Sequence, residues 1–173
     1  PPPAQARALL DRFGGAAAAL DAGPRAWIDA GLRDKCVAPM ARPDAGRLRA
    51  DLDWLRGGRR RVVGWHDPDY PALLRAIPSA PALYVRGELH ADDALAIAIV
   101  GSRRCTPYGI AATEQLASDL AARGVTIVSG LARGIDTAAH RSALAAGGRT
   151  LAVLGCGVDV IYPRENAPLA RAI

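Results

Sequence analysis

From Leu95 onward the chain alternates short apolar runs with longer segments in which apolar residues recur every three or four positions. Residues 96–100 form a continuous apolar run, the pattern of a strand buried on both faces. Residues 108–123 follow with Ala112, Leu116 and Leu120 at four-residue steps, predicting a helix that turns this stripe toward a sheet and stops at Gly124. A second strand is expected over 125–128, and a second helix over 135–146, ended by Gly147-Gly148. A third strand is expected over 150–154. Each strand runs into a glycine turn: Gly101-Ser102-Arg103-Arg104, then Ser129-Gly130-Leu131-Ala132-Arg133-Gly134, then Gly155-Cys156-Gly157. Three such junctions, one βα unit apart, predict a Rossmann-like parallel α/β sheet with crossover helices and its loops gathered along one edge. Tyr162-Pro163 opens a further element with Pro at a helix start.

The front of the chain has a different rhythm. Residues 8–13, 16–20 and 24–32 read as three short helices separated by Gly14-Gly15 and Gly23. A longer helix is expected over 44–55, with Leu48, Leu52 and Leu55 on one face. This predicts a small all-helical domain over residues 1–58, of the SAM or helix-hairpin-helix kind, ahead of the Rossmann-like domain over 59–173. Some such modules grip a DNA backbone through the turn, but simple packing is the favoured reading. Arg59-Arg60-Arg61 opens a strand-like stretch, and here a solvated strand edge is favoured over a phosphate contact. A turn and short helix with Pro71 near its start, a strand over 81–87 and a polar joint at Ala91-Asp92-Asp93 complete the lead-in.

Composition adds limits more than directions. Half of the 173 residues are hydrophobic, enough for a buried core. No run approaches the roughly 18 apolar residues of a membrane span, and no signal peptide opens the chain, so no membrane partner is expected and the location expected is the cytoplasm. The chain begins at Pro1 and ends where a helix has just begun, and three strands are few for a doubly wound fold; a truncated domain is the expectation. The formal charge is +5, and of 22 basic residues only Lys35 is a lysine. Arginine suits bidentate phosphate recognition, although a codon bias that also enriches Ala and Gly is the favoured cause of the excess. Cys36, Cys105 and Cys156 are odd in number and far apart, which argues against a zinc site or a disulfide framework and suits a reducing compartment.

The chemistry gathers at the glycine turns. Gly101 admits a ligand to the backbone, Ser102 offers a hydroxyl, and Arg103 and Arg104 offer charge beside a helix start. Ser129, Gly130, Arg133 and Gly134 belong to the neighbouring strand end. Asp136 reads as a helix-start residue in preference to a general base, and His140 as a packed histidine bonded to a neighbouring loop. Arg149 precedes the third strand, opposite the glycine edge. There is no GxxxxGK[ST], Gly155-Cys156-Gly157 lacks a third glycine, and no catalytic triad or metal-ligand cluster is visible. Taken alone, these residues describe a parallel α/β domain with an anion-binding edge.

Set in order, these segments resemble the DprA/Smf family of DNA-processing proteins. The match is carried by Val100-Gly101-Ser102-Arg103, Tyr108-Gly109, the run from Ile127 through Asp136, Ala139-His140, the run from Ala152 through Asp159, Tyr162-Pro163, Asn166 and Leu169. Tyr70-Pro71-Ala72-Leu73-Leu74 and Pro81-Ala82-Leu83-Tyr84-Val85-Arg86-Gly87 extend it upstream. The resemblance implies an extended Rossmann-type domain that binds single-stranded DNA without catalysis or cofactor. It implies a recombination mediator that protects incoming DNA and loads the RecA recombinase in natural transformation, as a homodimer when full length. By motif, Arg103 and Arg149 are the DNA-contacting positions, with Gly101, Ser102, Arg104, Ser129, Gly130, Arg133 and Gly134 in the adjoining loops. Tyr108 is a candidate base-stacking residue, with packing the favoured role. The rival reading is a nucleotide-binding or nucleotide-hydrolysing Rossmann-like enzyme; the PGGxGT loop such hydrolases use is missing.

Overall fold

In the computed structural model, which describes residues 1–90, 93 and 95–173, the chain divides into two units, Pro1–Glu88 and Leu89–Ile173. The first unit holds α1 (Pro3–Phe13), α2 (Ala16–Asp21), α3 (Gly23–Asp29), α4 (Asp34–Ala41) and α5 (Ala45–Leu55), then β1 (Arg60–Val63), α6 (Ala72–Arg75) and β2 (Leu83–Arg86). Gly14, with φ 77°, closes α1 in the left-handed conformation, and the Asp44 carboxylate caps α5 by accepting from the Gly46 and Arg47 amides. The sequence pattern missed α4 because Pro39 sits inside it, where proline normally breaks a helix. The Leu48 and Leu52 face of α5 is half-exposed instead of buried.

β1 and β2 pair antiparallel, and their apolar side finds its cover within this unit: Val63, Trp65 and Tyr70 pack with Ala6 and Leu10 of α1. Burial leaves two polar groups to satisfy there. The Trp65 indole donates to the Ala80 carbonyl at 2.6 Å and the Tyr70 hydroxyl to the Pro81 carbonyl at 2.7 Å. The hairpin therefore belongs with the helices, and the boundary falls after Glu88, later than the division at 58–59 read from the sequence. Of the polar joint Ala91-Asp92-Asp93, the first two residues lie outside the described residues.

The second unit is the expected βαβαβ series: β3 (Ala96–Ala98), α7 (Pro107–Ala121), β4 (Thr126–Ser129), α8 (Ile135–Ala145) and β5 (Thr150–Ala152), followed by a 3-10 turn at Arg164–Asn166 and α9 (Ala167–Ala172). The strands are parallel in the order β3-β4-β5, with Ile97 beside Ile127 and Val128 beside Leu151. Ile99 and Ile127 form one buried cluster with Ala117 and Ala121 of α7 and Ala139 and Ala143 of α8, so both helices lie on the same face of the sheet. The alanines let the helices approach closely. Gly148 serves the same end, since a Cβ there would meet the Ala121 Cβ at 2.6 Å.

Two sequence expectations change here. The buried stripe of α7 is Thr113, Ala117 and Ala121, while Leu116 points to solvent. And β3 is not buried on both faces: it is an edge strand whose three residues are exposed, and Val100 and Val153, beyond the strand ends, are 70% and 66% exposed.

Candidate nucleic-acid interface

Because β3, β4 and β5 are parallel, their C-terminal loops emerge at one edge of the sheet. Two of these loops are locked together. The Ile135 amide, at the start of α8, donates to the Ser102 carbonyl at 3.3 Å. Gly134 makes this contact possible: its φ is 76°, and a Cβ on it would collide with the Ser102 carbonyl oxygen. Gly101 is tight for the same reason, with the Ile135 side chain 2.8 Å from where its Cβ would lie. These glycines are required by one loop passing against the other.

The second loop is held from beneath. The buried Asp136 carboxylate accepts from the Gly130 amide at 3.1 Å and the Ala132 amide at 3.3 Å. Asp136 lies in the first turn of α8, as expected, but its work is to fold the preceding loop back over the helix start. Thr137 donates its hydroxyl to the Ala132 carbonyl at 2.6 Å. Asn166, from the turn after β5, donates Nδ2 to the Leu131 carbonyl at 2.9 Å and to the Thr137 hydroxyl at 2.8 Å. Leu131 itself has φ 58° and is buried, a conformation that these bonds hold in place. Asn166 stood in the sequence motif, yet nothing local to it signalled this role; the partners lie about 30 residues away.

On this frame the predicted residues separate. Gly101, Ser102, Arg103, Arg104, Gly130, Arg133 and Gly134 come to the one edge. The Ser102 hydroxyl accepts from the Arg104 amide at 3.0 Å, which tightens the first turn. The Arg103 and Arg104 side chains are exposed and make no ion pair or hydrogen bond among the described residues. Arg133 is exposed too, but its Nε and Nη2 donate to the two carboxylate oxygens of Glu165 at 2.6 and 2.8 Å. Hydrogen bonds from Arg133 and its charge hold the Glu165 carboxyl below its ordinary pKa. Ser129 is brought near but not presented: it is buried and donates its hydroxyl to the Ile99 carbonyl at 2.6 Å.

Arg149 stands at the start of β5, the end away from the glycine loops, as the strand order anticipated. Its Nε and Nη2 donate to Asp93 at 2.5 and 2.9 Å. Burial pushes the Asp93 carboxyl up, but the hydrogen bonds from Arg149, the His90 amide and Thr126, with the Arg149 charge, outweigh it and hold the group below the usual range. Sequence reasoning gave Asp93 no part in this, for the pair spans 56 positions.

Tyr108, on the first turn of α7, is 82% exposed, so packing does not account for it. His140 does pack. It is fully buried, with Nδ1 2.7 Å from the Thr150 hydroxyl, a strand residue where a loop was expected. Since that hydroxyl donates onward to the Ile127 carbonyl, Nδ1 carries the imidazole hydrogen, and among the described residues Nε2 makes no hydrogen bond. Burial lowers the His140 pKa to about 4, against the opposing pull of the Asp136 charge and of the Ser129 backbone. Among the described residues no cluster of His, Cys, Asp and Glu is arranged to hold a metal ion, and no helix is long and apolar enough to cross a membrane.

Comparison with known proteins bears on this edge. The family model for DNA recombination-mediator protein A matches residues 61–173. Protein Smf of Escherichia coli K12 is 42% identical over 127 residues, covering 73% of this chain and 34% of that protein. The crystal structure of DNA processing protein A from Streptococcus pneumoniae superposes with a TM-score of 0.68 at 34% identity, over 82% of this chain and 49% of that one. A second structure, reported for the single-stranded DNA binding mode of DNA processing protein A from Helicobacter pylori, superposes with a TM-score of 0.56 at 34% identity, over 64% of this chain and 49% of that one. The chain thus spans about a third of the length of the Escherichia coli relative.

Proposed function

The chain belongs to the DNA recombination-mediator protein A family, and on that premise we propose that its glycine-loop edge binds the phosphate backbone of single-stranded DNA. The observation that carries the proposal is the pair Arg103 and Arg104: two exposed arginines without a partner among the described residues, on a turn braced by the Ile135–Ser102 bond. A guanidinium already committed to a carboxylate has little left for a phosphate, whereas these two meet it at no such cost. Gly101 and Gly134 let the two loops pass against each other and so hold this turn in place. Tyr108 supplies an exposed ring beside the same loops, on which a base can stack. The Helicobacter pylori protein, whose structure was reported for its single-stranded DNA binding mode, shares the fold at 34% identity and supports the same reading.

In this reading the chemistry ends at binding. The work done on DNA is to hold and order a strand. Within a longer protein, that activity serves a recombination mediator that protects incoming single strands and loads RecA in the cytoplasm during natural transformation, as a homodimer.

The test is fluorescence anisotropy of a labelled single-stranded oligonucleotide across a salt series, with Arg103→Ala and Arg104→Ala compared with the parent chain. Removing one arginine–phosphate interaction should make the slope of log K against log salt shallower by about 0.7 and weaken binding for every base sequence alike. Tight binding unchanged by both substitutions would move the site off this edge.

A further inference from the structure

The turn after β5 reaches back to the loop after β4 twice. Asn166 does so from below, through the Leu131 carbonyl and the Thr137 hydroxyl. Glu165, its neighbour, does so from outside and takes Nε and Nη2 of Arg133 with its two oxygens. That two-pronged edge of the guanidinium is the one a phosphodiester uses. We infer that Glu165 is a built-in stand-in for phosphate, a specificity-determining residue that a DNA strand must displace before it engages Arg133. The inference rests on the DNA reading of this edge.

Three features support displacement over a fixed structural pair. Both side chains are more than half exposed, at 58% and 56%, so water and salt already compete for them, and pairs of this kind are weak. A groove of about 380 Å³ opens beside them, lined by Glu114, Arg133, Gly134, Thr137, Arg141 and Glu165, and gives the side chains room to swing apart. And Asn166 ties its turn to the Leu131 carbonyl and the Thr137 hydroxyl, on either side of Arg133, so a displaced Glu165 stays within reach of Arg133 and competes as a tethered group at high local concentration.

The consequence is selectivity. A lone phosphate or mononucleotide meets Arg133 already neutralised. A strand anchored at Arg103 and Arg104 brings its next phosphate to Arg133 as another tethered group, on equal terms with Glu165. The contact therefore favours a continuous strand over isolated anions.

The experiment measures binding of labelled oligodeoxythymidylate to the parent chain and to Glu165→Gln, Glu165→Ala, Arg133→Ala and the Glu165→Gln/Arg133→Ala double variant. Glu114→Gln removes a carboxylate from the same groove without touching Arg133, and so gives the general effect of one less negative charge. Glu165→Gln should tighten binding about two- to fivefold and steepen the salt slope, by less than the roughly 0.7 of one whole phosphate contact, and Glu165→Ala should do the same. Glu114→Gln should do less, and adding Arg133→Ala should erase the gain. If Glu165→Gln acts no more strongly than Glu114→Gln, or its gain survives removal of Arg133, the stand-in role is overturned. When Arg103→Ala, measured beside them on the same oligonucleotide, weakens binding, the DNA reading stands without it. If the parent chain binds no single strand, or Arg103→Ala and Arg104→Ala change nothing, both readings fall together.

Discussion

Replacing Arg149 by Ala separates two roles for one residue. The resemblance implied a DNA contact at this position; in the fold the side chain is tied by two hydrogen bonds to Asp93. The side chains of Arg149 and Asp93 are 32% and 11% exposed, so the carboxylate is much the more buried of the two. Truncating Arg149 leaves that carboxylate, among the described residues, with the His90 amide and the Thr126 hydroxyl as donors. Breaking a fully buried pair costs about 3–5 kcal/mol, and the partial exposure of Arg149 brings the expectation here to about 2–3 kcal/mol. Urea unfolding at pH 7, followed on the amide resonances of α7 and α8, reports on the unit that holds the pair; all three tryptophans lie in the other. Asp93→Ala should cost less than Arg149→Ala, because it leaves an arginine that reaches water, and the double variant should recover part of the stability. The reasoning fails if Arg149→Ala unfolds like the parent chain while its single-strand affinity drops: the pair would then carry no stability and Arg149 would serve phosphate. A drop in stability with DNA affinity intact at low temperature would make Arg149 a framework residue.

The other predictions concern the frame beneath the loops. His140 has a folded pKa of about 4 against an ordinary 6.5. The unfolded chain thus takes up its proton first as pH falls: the contribution of this residue is whole above pH 6.5 and disappears toward pH 4. At about 1.4 kcal/mol per unit this amounts to about 3 kcal/mol, and His140→Gln should flatten the pH dependence of urea stability in that window; an unchanged slope refutes it. Gly134→Ala, with φ 76° and the Ser102 carbonyl in the way, should destabilise by more than about 1–3 kcal/mol and abolish single-strand binding, whereas Gly147→Ala, at φ 70° in open space, should cost only strain and leave binding intact. Equal effects of the two would mean that the loops do not need their contact. Tyr108→Ala should leave the melting temperature unchanged and weaken oligonucleotide binding by about 1–3 kcal/mol if a base stacks there; Tyr108→Phe should bind as the parent does.

What the chain determined by itself was its local order. Apolar runs ending at Gly101, Gly130 and Gly155, with helical spacing between them, are short-range signals, and they placed the βαβαβ series and the loop edge correctly. Arg103 and Arg104 were legible for the same reason, since the turn that presents them is made of their neighbours. Tertiary structure decided which groups are available. Ser129 and Arg133 stand in one loop and read alike, yet one spends its hydroxyl on a carbonyl 30 residues back and the other spends its guanidinium on a carboxylate 32 residues ahead. Arg149 is engaged by Asp93 across 56 positions. Leu116 and Thr113 lie on adjacent stripes of α7, and only the placement of the sheet says which is buried. The hairpin of β1 and β2 went with the helices because α1 covers its apolar side. Turn chemistry and periodicity are written within a few residues, whereas pairing and burial depend on partners that only folding brings within reach.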